Sequence, residues 1–185
     1  MIDYKNGIYA VDSDYVRPIL DAIHLIEDSG ELAIIDTAHN GAWPQVEAAL
    51  SEIGRKAEDV RWLILTHVHL DHAGGAGLFM SKLPNATLVV HERGARHMAD
   101  PSKLYAGVEV VYGKENAKRL YGDLLPIPEA RIQVGKHGDK LALGQRTLEI
   151  LDTPGHARHH ICIVDQTAGA IFTGDTFGLS YRELD

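Results

Sequence analysis

The chain has 185 residues, 45% of them hydrophobic and 24% charged, with a formal net charge of −8. A chain of this length hides roughly 70% of its unfolded surface, enough for a sizeable core, and the composition is that of a globular protein rather than a disordered or fibrous one. The negative charge argues against a nucleic-acid partner, whose phosphates attract basic surfaces, and no apolar run approaches the ~20 residues of a membrane span. Residues 1–7 lack the basic and apolar regions of a signal peptide. Cys162 is the single cysteine. A reducing, cytoplasmic location is therefore expected.

In chain order, residues 8–11, 23–26 and 32–35 read as short strands, with Ser29-Gly30 as a hairpin turn between the second and third. Asn40 is expected to cap a helix over residues 42–53. Its apolar face is Val46, Ala49, Leu50 and Ile53, and Gly54 ends it. The apolar run 61–65 reads as a buried strand, and 87–90 as another. Residues 92–125 are mostly helical and more polar. Strand character returns at Ile132, Val134, Leu141, Leu143 and 146–151, and strands at 161–164 and 170–172 complete a meander. The alternation is α/β, with no linker or repeat, so one domain over 1–185 is expected.

The densest chemistry lies in Thr66-His67-Val68-His69-Leu70-Asp71-His72. In an extended segment, residues two apart face the same side, so His67 and His69 can reach one metal ion. Asp71 and His72 follow where Ala73-Gly74-Gly75 breaks the strand, and a turn there aims them at a neighbouring position. The spacing points to two adjacent metal sites sharing one loop. Imidazole and carboxylate suit zinc, iron or manganese better than calcium or magnesium. Asp152-Thr153-Pro154-Gly155-His156 and Thr173-Gly174-Asp175-Thr176 each place a ligand-type side chain just past a strand. Three strand ends meeting at one edge build a site on loops. A packing role for the first cluster is disfavoured, because adjacent imidazoles repel when protonated. His156 and Asp175 also suit plain turns. His159 and His160 read as solvated or strand-face residues, with one of them as the alternative partner that orients a ligand. His24, His91, His97 and His137 have no motif around them, and Cys162 alternates with apolar neighbours as a core residue would.

Together, His67-x-His69-x-Asp71-His72, Thr153-Pro154-Gly155-His156 and Gly174-Asp175 resemble the metallo-β-lactamase superfamily. Ile34-Ile35-Asp36-Thr37 is similar to its first motif, whose aspartate is structural. Motif order and separations match from about residue 7 onward. The resemblance implies an αββα sandwich. It implies that His67, His69 and His156 bind a first metal and Asp71, His72 and Asp175 a second, with Asp175 bridging. Zinc is the first expectation, with iron or manganese as alternatives. Two departures stand out. The family's last ligand, a histidine well downstream of the bridging aspartate, has no counterpart before Asp185. The second half of the sandwich is therefore expected to be truncated, the second metal under-coordinated, and the chain a fragment or completed by a partner, a second copy included. Ala38 also stands where glycine is more usual.

Two cations a few Å apart lower the pKa of a bridging water to ~7 and stabilise an oxyanion. The expected activity is attack of metal-bound hydroxide on an ester, thioester or lactone-type small molecule, with Asp71 as proton acceptor and donor. Glyoxalase II-type thioester hydrolases are the most similar branch, although the basic residues that grip the substrate's tail there lie late in the chain. A diiron oxygen-binding or redox protein of this fold usually carries glutamate at position 69, against His69 here. A nuclease of the fold would show a basic arm. A non-catalytic metal-binding module is the remaining alternative. Segment 92–125, with Arg93, His97, Lys103, Tyr105, Tyr112 and Tyr121, reads as a lid, a dimer contact or a solvated insertion.

Overall fold

A computed structural model describes residues 1–177 of the chain. Seven strands form one sheet in sequence order: β1 Ile2–Lys5, β2 Ile8–Asp12, β3 Ala22–Asp28, β4 Glu31–Ile35, β5 Val60–Ile64, β6 Thr87–His91 and β7 Ile132–Gly135. The first four pair antiparallel, and β4 to β7 pair parallel. Each parallel step needs a crossover, which helices supply. α1 Trp43–Glu52 links β4 to β5, and α2 Leu70–Ala73 with α3 Ala76–Lys82 links β5 to β6. α4 Glu92–Ala99, α5 Ser102–Tyr112 and α6 Lys114–Tyr121 precede β7. The second sheet is an antiparallel meander of β8 Lys140–Leu143, β9 Arg146–Asp152, β10 Ile161–Asp165 and β11 Ala170–Phe172.

Strand alternation sorts the side chains into two cores. β4 sends Leu32 and Ile34 toward α1 and α3, where Val46, Leu50, Phe79 and Met80 receive them. It sends Ala33 and Ile35 toward the second sheet, against Ile150 and Ile163 among others. β6 divides Leu88 and Val90 from Val89 in the same way. Trp43 and Phe79 meet edge to face, with centroids 5.2 Å apart, and tie α1 to α3. The layers are helix, sheet, sheet. These are three of the four layers of the expected αββα sandwich; among the described residues every α-helix precedes β7, and none is long and apolar enough to cross a membrane.

Local expectations hold with three differences. The Ser29-Gly30 hairpin forms, with φ of 53° and 90° that a two-residue turn requires. Asn40 does not cap α1, whose N-cap is Ala42 without a side-chain hydrogen bond; the side-chain cap is His39, on the 3-10 turn Asn40–Ala42 that leads into it. The His39 ring accepts the Gly41 N–H, and Asn40 instead donates to the Tyr121 and Asp123 carbonyls. The chain at Ala73-Gly74-Gly75 does not simply break a strand, because β5 ends at Ile64 and α2 winds from Leu70. β1, Ile2-Asp3-Tyr4-Lys5, is not among the expected strands; it alternates apolar and polar residues but pairs with β2 exposed on both faces.

One buried arginine, ion-paired within the second sheet, also reaches the first. Arg146 on β9 donates to Asp165 at 2.7 Å, to the Asn6 carbonyl at 2.9 Å, and lies 3.4 Å from Asp28. Asp165 is fully buried. Removing one partner of such a pair strands the other charge, so Arg146→Ala is expected to lower stability by about 3–5 kcal/mol. Urea denaturation measures it, and a loss under ~1 kcal/mol, the range of an exposed pair, would contradict the structural role.

Candidate metal centre

β4 and β5 end side by side, with Ile35 paired to Ile64. The residues just beyond them build the floor of the site. Asp36 follows β4 in a left-handed conformation, φ 60°, and is buried. Its Oδ1 accepts the Thr66 N–H at 2.8 Å, and its Oδ2 accepts the Thr66 hydroxyl at 2.7 Å. The same Oδ2 lies 2.9 Å from His72 Nδ1. A carboxylate can only accept, so the His72 proton sits on Nδ1 and Nε2 is turned into the site. The Thr66 proton is committed to Asp36. Its oxygen, 3.1 Å from His67 Nδ1, therefore accepts from that ring. His67 Nε2 is left bare, and it is a buried atom without a hydrogen-bond partner. Ala38, buried at φ 50°, explains the usual glycine at that place, since a Cβ in the left-handed region costs about 1–2 kcal/mol.

The second sheet brings the other arms. The Ile161 N–H donates to the Thr66 carbonyl at 2.8 Å, joining the two sheets at this edge. His156, on the turn after β9, places Nε2 2.9 Å from His69 Nδ1. Gly174, φ 48°, lets the turn after β11 come close; a Cβ there would lie 2.7 Å from both His160 Nε2 and Thr66 Oγ1. That turn carries Asp175, whose Oδ1 is 3.2 Å from His72 Nε2 and whose Oδ2 is 3.4 Å from His156 Nε2. Two groups result, His67–His69–His156 and His67–His72–Asp175, each with one donor atom per residue within 4.8 Å of the others. The structure thus gathers five of the six residues expected from the motifs. Asp71 lines the adjoining cavity with His72 and Asp175 but belongs to neither group. In a helix, consecutive residues point about 100° apart, so Asp71 and His72 do not share a face.

His67 is ringed by imidazoles, with centroids 4.2 Å away at His72, 4.6 Å at His69, 5.0 Å at His156, 5.1 Å at His160 and 6.2 Å at His159. Burial first, and then the charge of its neighbours, holds His67 far below the ordinary imidazole range. Burial also lowers His69 and His160, and takes His159 down to about 4. His72 is the exception. Burial opposes its charge, but Asp36 and Asp175 outweigh burial and push it up to about 11. The hydrogen bond to His72 holds Asp175 below the usual carboxylate value. Neutral imidazoles with bare nitrogens, one of them a buried orphan, beside an ionised carboxylate form a donor set that fits divalent transition metals.

Two more histidines serve the site than the motifs indicate. His160 is fully buried, with Nδ1 2.9 Å from the Thr153 hydroxyl and 3.1 Å from that of Thr176, bracing both second-sheet turns. His159 accepts the Val68 N–H at 3.3 Å. The only sequence signal was the His159-His160 doublet shortly after His156. Cys162 is buried core, as expected. His91 and His137 flank Asp152, and His24 packs edge to face on Phe172.

A model of the metallo-beta-lactamase superfamily matches residues 22–184. The chain belongs to this superfamily. Among curated relatives, it is 28% identical to an uncharacterized protein, YobT, of Bacillus subtilis over 84% of this chain and 61% of that one. It is also 28% identical to a hydroxyacylglutathione hydrolase of Maricaulis maris, over 80% of this chain and 44% of that one. Among solved structures, a subclass B3 metallo-beta-lactamase of Bradyrhizobium japonicum superposes with a TM-score of 0.67 at 25% identity, covering 89% of this chain and 55% of that one. The chain spans about half the length of the metallo-β-lactamase relatives it matches.

Because Asp36 sets the tautomer of His72 and, through Thr66, of His67, Asp36→Asn is expected to weaken metal binding about 10–100-fold. Competition against a chromophoric chelator measures it; unaltered affinity would remove Asp36 from the site's support. The acid response is a second expectation. His159 stays neutral down to about pH 4 in the folded chain, whereas in the unfolded chain it takes a proton near pH ~6.5. Acid between those values favours the unfolded chain, so stability falls as pH drops through that window. Urea midpoints of metal-free wild type and His159→Asn at pH 7 and pH 5 should show the variant losing less; parallel losses would count against a neutral, buried His159.

Proposed function

We propose that this metallo-β-lactamase-superfamily protein hydrolyses the carbonyl of a small ester, thioester or lactone, with a thioester favoured. The observation that carries the proposal is the buried, unpartnered Nε2 of His67 at the junction of two ligand groups. In this reading His67, His69 and His156 hold one divalent ion, and His72 and Asp175 hold a second with help from Asp71. Asp175 turns one oxygen to each group, the disposition a bridging carboxylate needs. Zinc is the favoured metal. Two bound cations supply an acidified water and polarise a carbonyl.

The remaining work falls to side chains. Asp36 keeps His72 in the ligating tautomer, and Thr66 does so for His67. Asp71, at the cavity wall beside His72, takes the proton of the attacking water and returns it to the leaving group. The likeness to a hydroxyacylglutathione hydrolase supports the thioester. His69, close to His156, speaks against the diiron alternative with glutamate at that place.

The test combines elemental analysis with turnover of thioester, lactone, β-lactam and phosphodiester probes. Zinc, iron or manganese should co-purify, and thioester turnover should stop on chelation. His67→Ala and His156→Ala should lose both metal and activity. Asp71→Asn should cost on the order of 100-fold in kcat. A protein free of transition metal, or one that cleaves only the phosphodiester, would overturn the proposal.

A further inference from the structure

A cavity of about 610 Å³ opens beside the candidate centre. Its lining includes Asp71, His72 and Asp175 together with Tyr15, Leu20 and Phe172. Tyr15 sits in the connection between β2 and β3, and its hydroxyl is 2.7 Å from that of Tyr121 at the end of α6. The two rings stack at 6.0 Å, and the His39 ring tilts against Tyr15 at 5.8 Å. Tyr121 is 4% exposed, and Asn40 holds its carbonyl at 3.1 Å. The helical segment before β7 is thereby anchored to the loop after Asp36.

Burial decides the direction of the phenol–phenol bond. A buried hydroxyl that fails to donate carries a desolvation penalty, whereas one at a cavity has other outlets. The contact allows either hydroxyl to donate, and burial favours Tyr121 as donor with Tyr15 accepting. The Tyr15 proton is then free of that bond, on a partly exposed ring at the cavity wall. Burial raises Tyr15 above the ordinary phenol value, so it keeps its proton at neutral pH.

We propose that the Tyr15 hydroxyl donates a hydrogen bond to the carbonyl oxygen of an acyl substrate whose uncharged, apolar acyl group lies against Leu20 and Phe172, with Tyr121 as the positioning residue. The proposal rests on the hydrolase reading above. Asp71 and Asp175 line the same cavity, and its one lysine, Lys5, is paired with Asp3, so the lining disfavours an anionic acyl group. The mutual position of donor and site is fixed by two segments far apart in sequence, which only the folded chain brings together.

The test uses metal-loaded wild type, Tyr15→Phe, Tyr121→Phe and the double variant, with hexanoyl and succinyl thioesters. Metal content should be the same in all four. Wild type should prefer the hexanoyl thioester. Tyr15→Phe should lower kcat about 10–100-fold, less than the ~100–1,000-fold of a main oxyanion donor, with a smaller change in KM. Tyr121→Phe should lower kcat less, and the double variant should match Tyr15→Phe alone, the non-additivity expected of a unit. Losses that multiply, tracking a fall in thermal midpoint, would assign both tyrosines to packing and overturn the proposal. Benzohydroxamate binding, followed by calorimetry, separates this from the hydrolase reading, because it needs no turnover. Weaker binding to Tyr15→Phe supports the donor even if wild type cleaves no thioester; equal affinity overturns it whatever the wild type cleaves.

Discussion

A single buried carboxylate organises the centre. Asp36 accepts from the Thr66 amide, the Thr66 hydroxyl and the His72 ring. Each bond settles something different. The amide bond fixes the chain leaving β5. The hydroxyl bond orients Thr66 so that it must accept from His67. The ring bond fixes the proton on His72. One acidic side chain that belongs to neither ligand group thus determines which nitrogens of two histidines are presented. The left-handed backbone at Asp36 is sustained because all three partners hold it.

The ring of imidazoles around His67 is electrostatically workable only if most are neutral. Burial makes them so, and it does this without a counter-charge for each. His72 is charged where Asp36 and Asp175 flank it. A cation arriving at the groups would substitute for that proton between His72 and Asp175, keeping the local charge pattern while exchanging a small acid for a Lewis acid. The same neutral nitrogens that are poor partners for protons are good ones for a soft cation.

Much of this was legible in the sequence because ligand residues follow strands with strict punctuation. His67, His69, His72, His156 and Asp175 all lie just past apolar runs, and the structure gathers them. His67 and His69 are not part of β5, which stops at Ile64; the chain bends at Thr66 and again at His69 before α2 begins, and the two rings still meet around His156. Asp71 was grouped with His72 on spacing and on the resemblance; the two leave α2 in different directions, and Asp71 lies at the wall of the adjoining cavity. His160 and Tyr15 were illegible for another reason. Their roles depend on partners, Thr153, Thr176 and Tyr121, that only tertiary packing supplies. Asn40 likewise looked like a cap because its residue type favours one. Long-range hydrogen bonds to Tyr121 and Asp123 outcompeted that local option.

The bond from the Ile161 amide to the Thr66 carbonyl has a kinetic meaning. It closes a long loop, and the entropy of that closure must be met before any contact across the seam can reward it. The His67–His156 and His72–Asp175 pairs lie on the same seam, so the donor set cannot exist in a chain with only one sheet formed. An ion captured there would bind the completed fold and not its precursors, and would therefore act as a latch on the finished molecule. Opening would begin with release of the ion, and the lifetime of the two-sheet structure would follow the free concentration of metal rather than the sequence alone.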